Sequence, residues 1–164
     1  MSSCTLAIYP GSFDPVTYGH LDIIERASRL FPRLLVGVGG NPAKRYLFTR
    51  EQRLQMVKEA CARFPNVEVD SFSGLLVNFV AERAARVVVR GLRAVSDFES
   101  ELQSALTNRM LHSEVETIFL MTSPEHLYLS SSVVREIAGL GGPVEMFVPP
   151  HVEALLREKF PLRA

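Results

Sequence analysis

Along the chain, short apolar runs without polar alternation recur between stretches whose apolar residues are spaced by three and four. Thr5–Tyr9, Leu34–Val38, Val67–Val69, Val87–Val89 and Thr117–Met121 read as strands. Gly19–Leu30, with Leu21, Ile24, Ala27 and Leu30 on one face, reads as an amphipathic helix. Thr49 caps a second helix running through Cys61, and Gln52 completes its capping box. Further helices are predicted over Leu75–Ala85, Val95–Leu111, Ser131–Ala138 and Val152–Lys159. On the longest, Val95, Phe98, Leu102, Ala105 and Leu106 share a face that suits either a core or an interface. Strands apolar on both faces and separated by helices imply a parallel sheet covered on both sides. The expected class is α/β: a single doubly wound, Rossmann-like domain over residues 1–164, with a five-stranded parallel sheet and helices on both faces.

Composition narrows the partners. Of 164 residues, 47% are hydrophobic, which fits a globular core, and 18 basic residues balance 18 acidic ones. A chain without basic excess is not expected to bind nucleic acid or an anionic membrane. The longest apolar runs, such as Leu34–Val38 and Ile118–Met121, fall far short of the ~18 residues of a membrane span. The first residues, MSSCTLAIYPG, have neither a basic region nor a long apolar core, so no signal peptide is expected. Cys4 and Cys61 form no disulfide framework and have no metal-ligand spacing. They read as reduced thiols in a cytoplasmic protein.

In a doubly wound sheet, ligands bind beyond the carboxyl ends of the strands, and the informative segments lie there. After the first strand comes Gly11-Ser12-Phe13-Asp14-Pro15-Val16-Thr17-Tyr18-Gly19-His20. It brings a glycine for close approach, a hydroxyl, and a histidine at a helix start, where free N–H groups and the dipole favour an anion. Lys44-Arg45 follows the second strand. Arg90-Gly91-Leu92-Arg93 follows the fourth, with two guanidinium forks at a helix start suited to phosphate oxygens. Asp97 and Glu101 then share a helix face, either as partners for those arginines or as part of the site. After the fifth strand, Leu129-Ser130-Ser131-Ser132 runs into a helix, with more hydroxyls than a cap needs. Gly37-Val38-Gly39-Gly40-Asn41-Pro42 has proline where a dinucleotide fingerprint needs its last glycine, and no GxxxxGK[ST] occurs. Hydride transfer and P-loop phosphotransfer are both disfavoured.

The segments GSFDPVTYGH, NPAK, RGLRAVSDFE and LSSSVVRE, in this order, resemble bacterial phosphopantetheine adenylyltransferases, whose TxGH is a variant of the nucleotidyltransferase HxGH signature. The resemblance implies adenylyl transfer from ATP to 4′-phosphopantetheine, giving dephospho-coenzyme A and pyrophosphate, with Mg²⁺. It implies catalytic roles for Ser12, His20, Lys44 and Arg93. It assigns ATP binding to Ser12, Phe13, His20, Gly91, Leu92, Arg93, Glu101 and the loop His126, Leu127, Tyr128, Leu129, Ser130, Ser131 and Ser132. Phosphopantetheine falls to Ser12, Lys44, Leu76 and Arg90. It further implies a homohexamer inhibited by coenzyme A.

Ser12 stands where threonine is commoner, and Tyr18 where asparagine is frequent. His126-Leu127-Tyr128 differs from the usual aromatic-Ser-Phe, so the resemblance supports backbone contacts to adenine there more strongly than side-chain ones, which stay open. With no carboxylate cluster in view, Mg²⁺ is expected to be held by ATP phosphates and water. The attacking phosphate monoester is already anionic, so no general base is required and catalysis rests on positioning and charge stabilisation. The alternatives are a related enzyme with nicotinamide mononucleotide, a sugar phosphate or glycerol phosphate as acceptor, and a nucleotide-sensing module without turnover. NPAK and RGLRAVSDFE weigh against the first. The cations grouped for an acceptor phosphate weigh against the second.

Overall fold

The computed structural model describes residues 6–161. Five strands, β1 (Leu6–Gly11), β2 (Arg33–Val38), β3 (Val67–Ser71), β4 (Val87–Leu92) and β5 (Glu116–Met121), form one sheet in the order β3-β2-β1-β4-β5. Every pairing is parallel. Helices α1 (Tyr18–Leu30), α2 (Arg50–Cys61), α3 (Leu76–Glu82), α4 (Val95–Leu111), α5 (Ser131–Gly139) and α6 (Pro150–Lys159) fill the connections, with a short 3₁₀ turn at Pro124–His126. This is the expected parallel α/β architecture. Cys4 and the first residue of the expected first strand, Thr5, lie outside the described residues. Cys61 is a buried free thiol, and burial pushes its pKa up to about 12. No helix among the described residues is long and apolar enough to cross a membrane.

Alternation along the strands divides the core. Ala7, Tyr9, Leu34, Val36, Val38 and Val89 point to one face, where Leu21, Ile24, Val57, Val134 and Val152 from the helices meet them. Ile8, Leu35 and Val88 point to the other, against Phe79, Val80, Ala85 and Val115. This second layer is smaller, because α3 has seven residues and α4 contributes no fully buried side chain among the described residues. The apolar face of α4 is therefore only partly covered: Phe98, Leu106 and Met110 are 45%, 54% and 88% exposed.

Helix starts follow local chemistry. Thr17 and Thr49 each accept from the backbone of the third helical residue, and His20 and Gln52 reach back to complete capping boxes. Strand ends depart from the apolar runs. β1 continues through Pro10 and Gly11, paired to Gly37 and Val38 of β2, while its pairing to β4 stops at Ile8–Val88. A proline in a central strand is tolerated here because the ladder on its β4 side has already ended. β4 likewise reaches Leu92, so Arg90 and Gly91 belong to the strand rather than to the start of α4, which begins at Val95. Polar Arg90 hid that extension.

The loop after β1 is pinned by a buried carboxylate. Asp14 accepts from the Leu47 and Phe48 backbone N–H groups at 2.9 and 3.0 Å, and Arg135 on α5 pairs with it at 3.6 Å. Arg135 also donates to the Asp14 carbonyl. Asp14→Ala strands two backbone donors of the segment before α2, at about 1–3 kcal/mol each. The expected loss is roughly 2–4 kcal/mol, which in a chain of this size lowers Tm by about 5–15 °C. Calorimetry checks this, and a midpoint within about 2 °C of wild type would show the loop to be anchored elsewhere.

Candidate active site

The strand order reverses between β1 and β4, and a cavity of about 330 Å³ opens at their carboxyl ends. Its walls come from the β1–α1 loop and α1 start (Gly11, Ser12, Gly19, His20), the β2–α2 loop (Lys44, Arg45, Tyr46), β4 and its exit (Arg90, Gly91, Arg93), and the α5 start (Leu129, Ser130, Ser131, Ser132, Arg135). A second cavity, about 340 Å³, lies beside it, lined by Gly39, Asn41, Phe72, Leu76, Glu101 and Asn108 among others. Pro10, Gly11, Ser12, Lys44, Tyr46 and Arg90 line both, so the two chambers meet at one wall.

The first chamber is built for a polyanion. Lys44, Arg45, Arg90, Arg93 and Arg135 line it against one carboxylate, Asp14, whose oxygens are occupied by backbone N–H groups. The starts of α1 and α5 both open into it, adding first-turn N–H groups that no helical carbonyl can satisfy. Lys44 and Arg45 are exposed and form no ion pair among the described residues. Gly11 admits no side chain, since a Cβ there would lie 2.8 Å from the Phe13 ring.

His20 is held in one state. The Thr17 backbone N–H donates to its Nδ1 at 3.0 Å, so the neutral ring carries its proton on Nε2. Burial, followed by the nearby Arg93 and Arg90 charges, pulls its pKa down to about 4. At neutral pH His20 is thus an uncharged donor. The Phe13 ring packs edge-on against it, 5.0 Å between centroids, and Tyr9 packs edge-on against Phe13 at 5.6 Å. Tyr9 remains a phenol, since burial pushes its pKa up to about 12.

Arg90 is oriented by three partners. Its Nε and Nη2 donate to the two Glu101 oxygens at 2.7 and 2.6 Å, and Nη1 donates to the Pro10 carbonyl at 2.9 Å. Burial alone would lower the Arg90 pKa, but the hydrogen bonds and charge of Glu101 outweigh it and hold the group above its ordinary value. Arg93 bridges Asp97, 3.1 Å from its Nε, and the Leu129 carbonyl, 3.0 Å from Nη1. The salt-bridge reading of Asp97 and Glu101 therefore holds, and Glu101 also faces the second chamber.

Of the residues expected to hold ATP, Ser12, His20, Gly91, Arg93, Leu129, Ser130, Ser131 and Ser132 line the first chamber. Phe13 and Leu92 are buried side chains, 1% and 7% exposed, that support the wall from behind. His126 and Leu127 lie outside the lining, with His126 packed near Gly19, and Tyr128 points to solvent at 92% exposure. The serine hydroxyls are not spare. Ser130 caps α5, Ser131 donates to the Pro15 carbonyl at 2.7 Å, and Ser132 accepts from Arg135. Ser12, Lys44, Leu76 and Arg90, expected at phosphopantetheine, all line the second chamber. Sequence reading missed Tyr46, Phe72, Asn108 and Thr122 as lining residues, because nothing in their local pattern separates them from ordinary loop, core and helix positions. Among the described residues, no group of three His, Cys, Asp or Glu side chains could hold a metal ion. With Asp14, Asp97 and Glu101 engaged by protein groups, the site does not fit a protein-built metal cage.

A cytidylyltransferase-like family model matches residues 8–137. The phosphopantetheine adenylyltransferase of Synechococcus sp. (strain JA-3-3Ab) is 58% identical over 157 residues, covering 96% of this chain and 99% of the relative. That of Gloeobacter violaceus is 59% identical over 155 residues, covering 94% and 96%. The crystal structure of a candidate nicotinate-nucleotide adenylyltransferase from Vibrio parahaemolyticus superposes with a TM-score of 0.67 over 93% of this chain and 91% of that one. At 17% identity, that likeness speaks for the fold alone. By fold, by the four signature segments around its paired chambers and by identity along nearly its whole length, the chain belongs to the phosphopantetheine adenylyltransferase family of nucleotidyltransferases.

Proposed function

We propose that the protein transfers the adenylyl group of ATP to 4′-phosphopantetheine, releasing pyrophosphate and dephospho-coenzyme A. The observation that carries this reading is the wall shared by the two chambers, where Ser12, Lys44 and Arg90 face both. ATP occupies the cationic chamber, with its phosphates toward the starts of α1 and α5. The pantetheine arm occupies the second, along Leu76 and Phe72, with its phosphate at the shared wall. One phosphate oxygen attacks the α-phosphorus, the new P–O bond forms, and the bond to the β-phosphate bridge breaks with the electron pair leaving on pyrophosphate. Lys44 and Arg90 orient the attacking phosphate. Ser12 and the Nε2–H of His20 donate to the oxygens of the α-phosphate as charge moves through it. Arg93 and the first-turn N–H groups of α5 hold the leaving pyrophosphate. A divalent cation such as Mg²⁺ would neutralise charge on the ATP phosphates, travelling with the nucleotide rather than on protein carboxylates.

The apolar stripe of α4, with Met121 of β5 at 58% exposure, supports a homo-oligomer, for which the family resemblance suggests six copies. Coenzyme A, carrying both an adenine nucleotide and a pantetheine arm, would compete at both chambers.

These outcomes are expected. In a pyrophosphate-release assay, the protein turns over ATP with 4′-phosphopantetheine, and His20→Ala lowers kcat by about 10²–10³. Activity confined to another acceptor phosphate sinks the assignment, and a kcat within threefold of wild type removes His20 from the transition state. The His20 ring, followed by NMR, titrates near 4 rather than 6.5. Between those values the unfolded chain takes up a proton that the folded chain refuses, so this contribution to stability is lost as pH falls through the window. The acid limb of kcat/KM instead falls near pH 6, where the phosphate monoester dianion gains a proton and becomes the monoanion. Light scattering gives a multiple of the single-chain mass, and Leu106→Lys lowers it. A monomeric wild type would refute the oligomer.

A further inference from the structure

We infer that Arg53 is a positioning residue for the transfer reaction, holding the Ser12 loop and the Lys44 loop in register across the wall the two substrates share. The inference rests on the function proposed above. Arg53 lies on α2 and is 3% exposed. Its Nη1 donates to the Ser12 carbonyl at 2.5 Å and to the Gly39 carbonyl at 2.7 Å. One nitrogen thus ties the exit of β1 to the exit of β2. The guanidinium carbon sits 4.3 Å over the Tyr46 ring, so the plane also supports the segment that carries Lys44. Its Nε is buried without a hydrogen-bond partner. Burial lowers its pKa, and the Asp14 charge works against that.

A buried arginine is an expensive way to hold a core together. What sets this one apart is where its bonds end. Both go to loop carbonyls beside substrate-facing residues, and neither goes to the interior of a helix or to a carboxylate. Arg53 itself lines neither chamber, so it acts through Ser12, Lys44 and Tyr46. The Gly39–Tyr46 segment faces mainly the second chamber. Its release therefore falls on the acceptor more than on ATP. A shift of about 1 Å between attacking and receiving groups costs roughly 10²-fold in rate.

The test compares wild type with Arg53→Met, Arg53→Lys and, as a control, Val152→Ala, a core truncation in α6 that lies in neither loop. For Arg53→Met, the KM for 4′-phosphopantetheine should rise about tenfold and kcat fall ten- to a hundredfold, with the KM for ATP within threefold. Arg53→Lys, which keeps one cationic donor, should recover part of both losses. Hydrogen exchange on the substrate-free protein should quicken over residues 11–14 and 39–46 in Arg53→Met and not in Val152→Ala. Kinetics of Arg53→Met within threefold of wild type, equal rises in both KM values, or losses no larger than those of Val152→Ala at matched Tm would overturn the inference. Wild-type inactivity with 4′-phosphopantetheine would instead count against the proposed function. The exchange comparison then decides the role of Arg53, and unchanged exchange over both loops overturns it.

Discussion

A residue without an N–H group sits next to last in the central strand, and much of the site follows from it. Pro10 cannot donate to a ladder, and β1 stays paired to β2 past it while its pairing to β4 has already ended. The two strands part at the place where the strand order reverses. Arg90 fills the gap by donating to the Pro10 carbonyl that no longer meets a neighbouring strand. A backbone vacancy is thereby turned into an anchor for a guanidinium, and Glu101 fixes its angle from α4. The chambers lie at that parting, one toward α1 and α5, the other toward α3 and α4.

Net neutrality conceals this concentration of charge. The chain has equal numbers of acids and bases, yet five cationic side chains and one carboxylate line the first chamber. Some acids that balance the site are set behind it as orienting partners. Glu101 and Asp97 grip the arginines by the nitrogens that point away from their other contacts, and Asp14 spends both oxygens on backbone donors. A polyanion entering the chamber therefore meets three arginines, Arg90, Arg93 and Arg135, already held by protein partners, and the reorganisation left for the bound state falls mainly on Lys44 and Arg45.

Most of the sheet and helices were legible because their physics is local. The capping box at Thr49 and Gln52, the three-four spacing of α1 and the apolar strand runs all act within a few residues. Lys44 and Arg90 were legible through the segments that contain them and Leu76 through the family resemblance alone, and all three face one chamber. Three features were not legible, because each depends on partners far along the chain. Arg53 looks like one more charged residue on a helix of weak amphipathicity until its carbonyl partners, 41 and 14 residues away, are in place. The serine run suggested spare hydroxyls, but Pro15 and Arg135 claim two of them. The face of α4 could have been core or interface by pattern, and only the thin layer beneath it shows how much apolar surface is left uncovered.

The common wall between the chambers has a consequence for what happens after bond formation. In the proposed reaction two separate ligands enter, one to each chamber, and besides pyrophosphate a single tethered molecule that spans both must leave. Once one end lets go, the other keeps it near its vacated half at a local concentration set by a short linker, in the millimolar range for flexible tethers. Rebinding then competes with escape. An arrangement that brings two phosphates together for attack would also retain the molecule they become, since escape in this geometry requires both ends to be free at once.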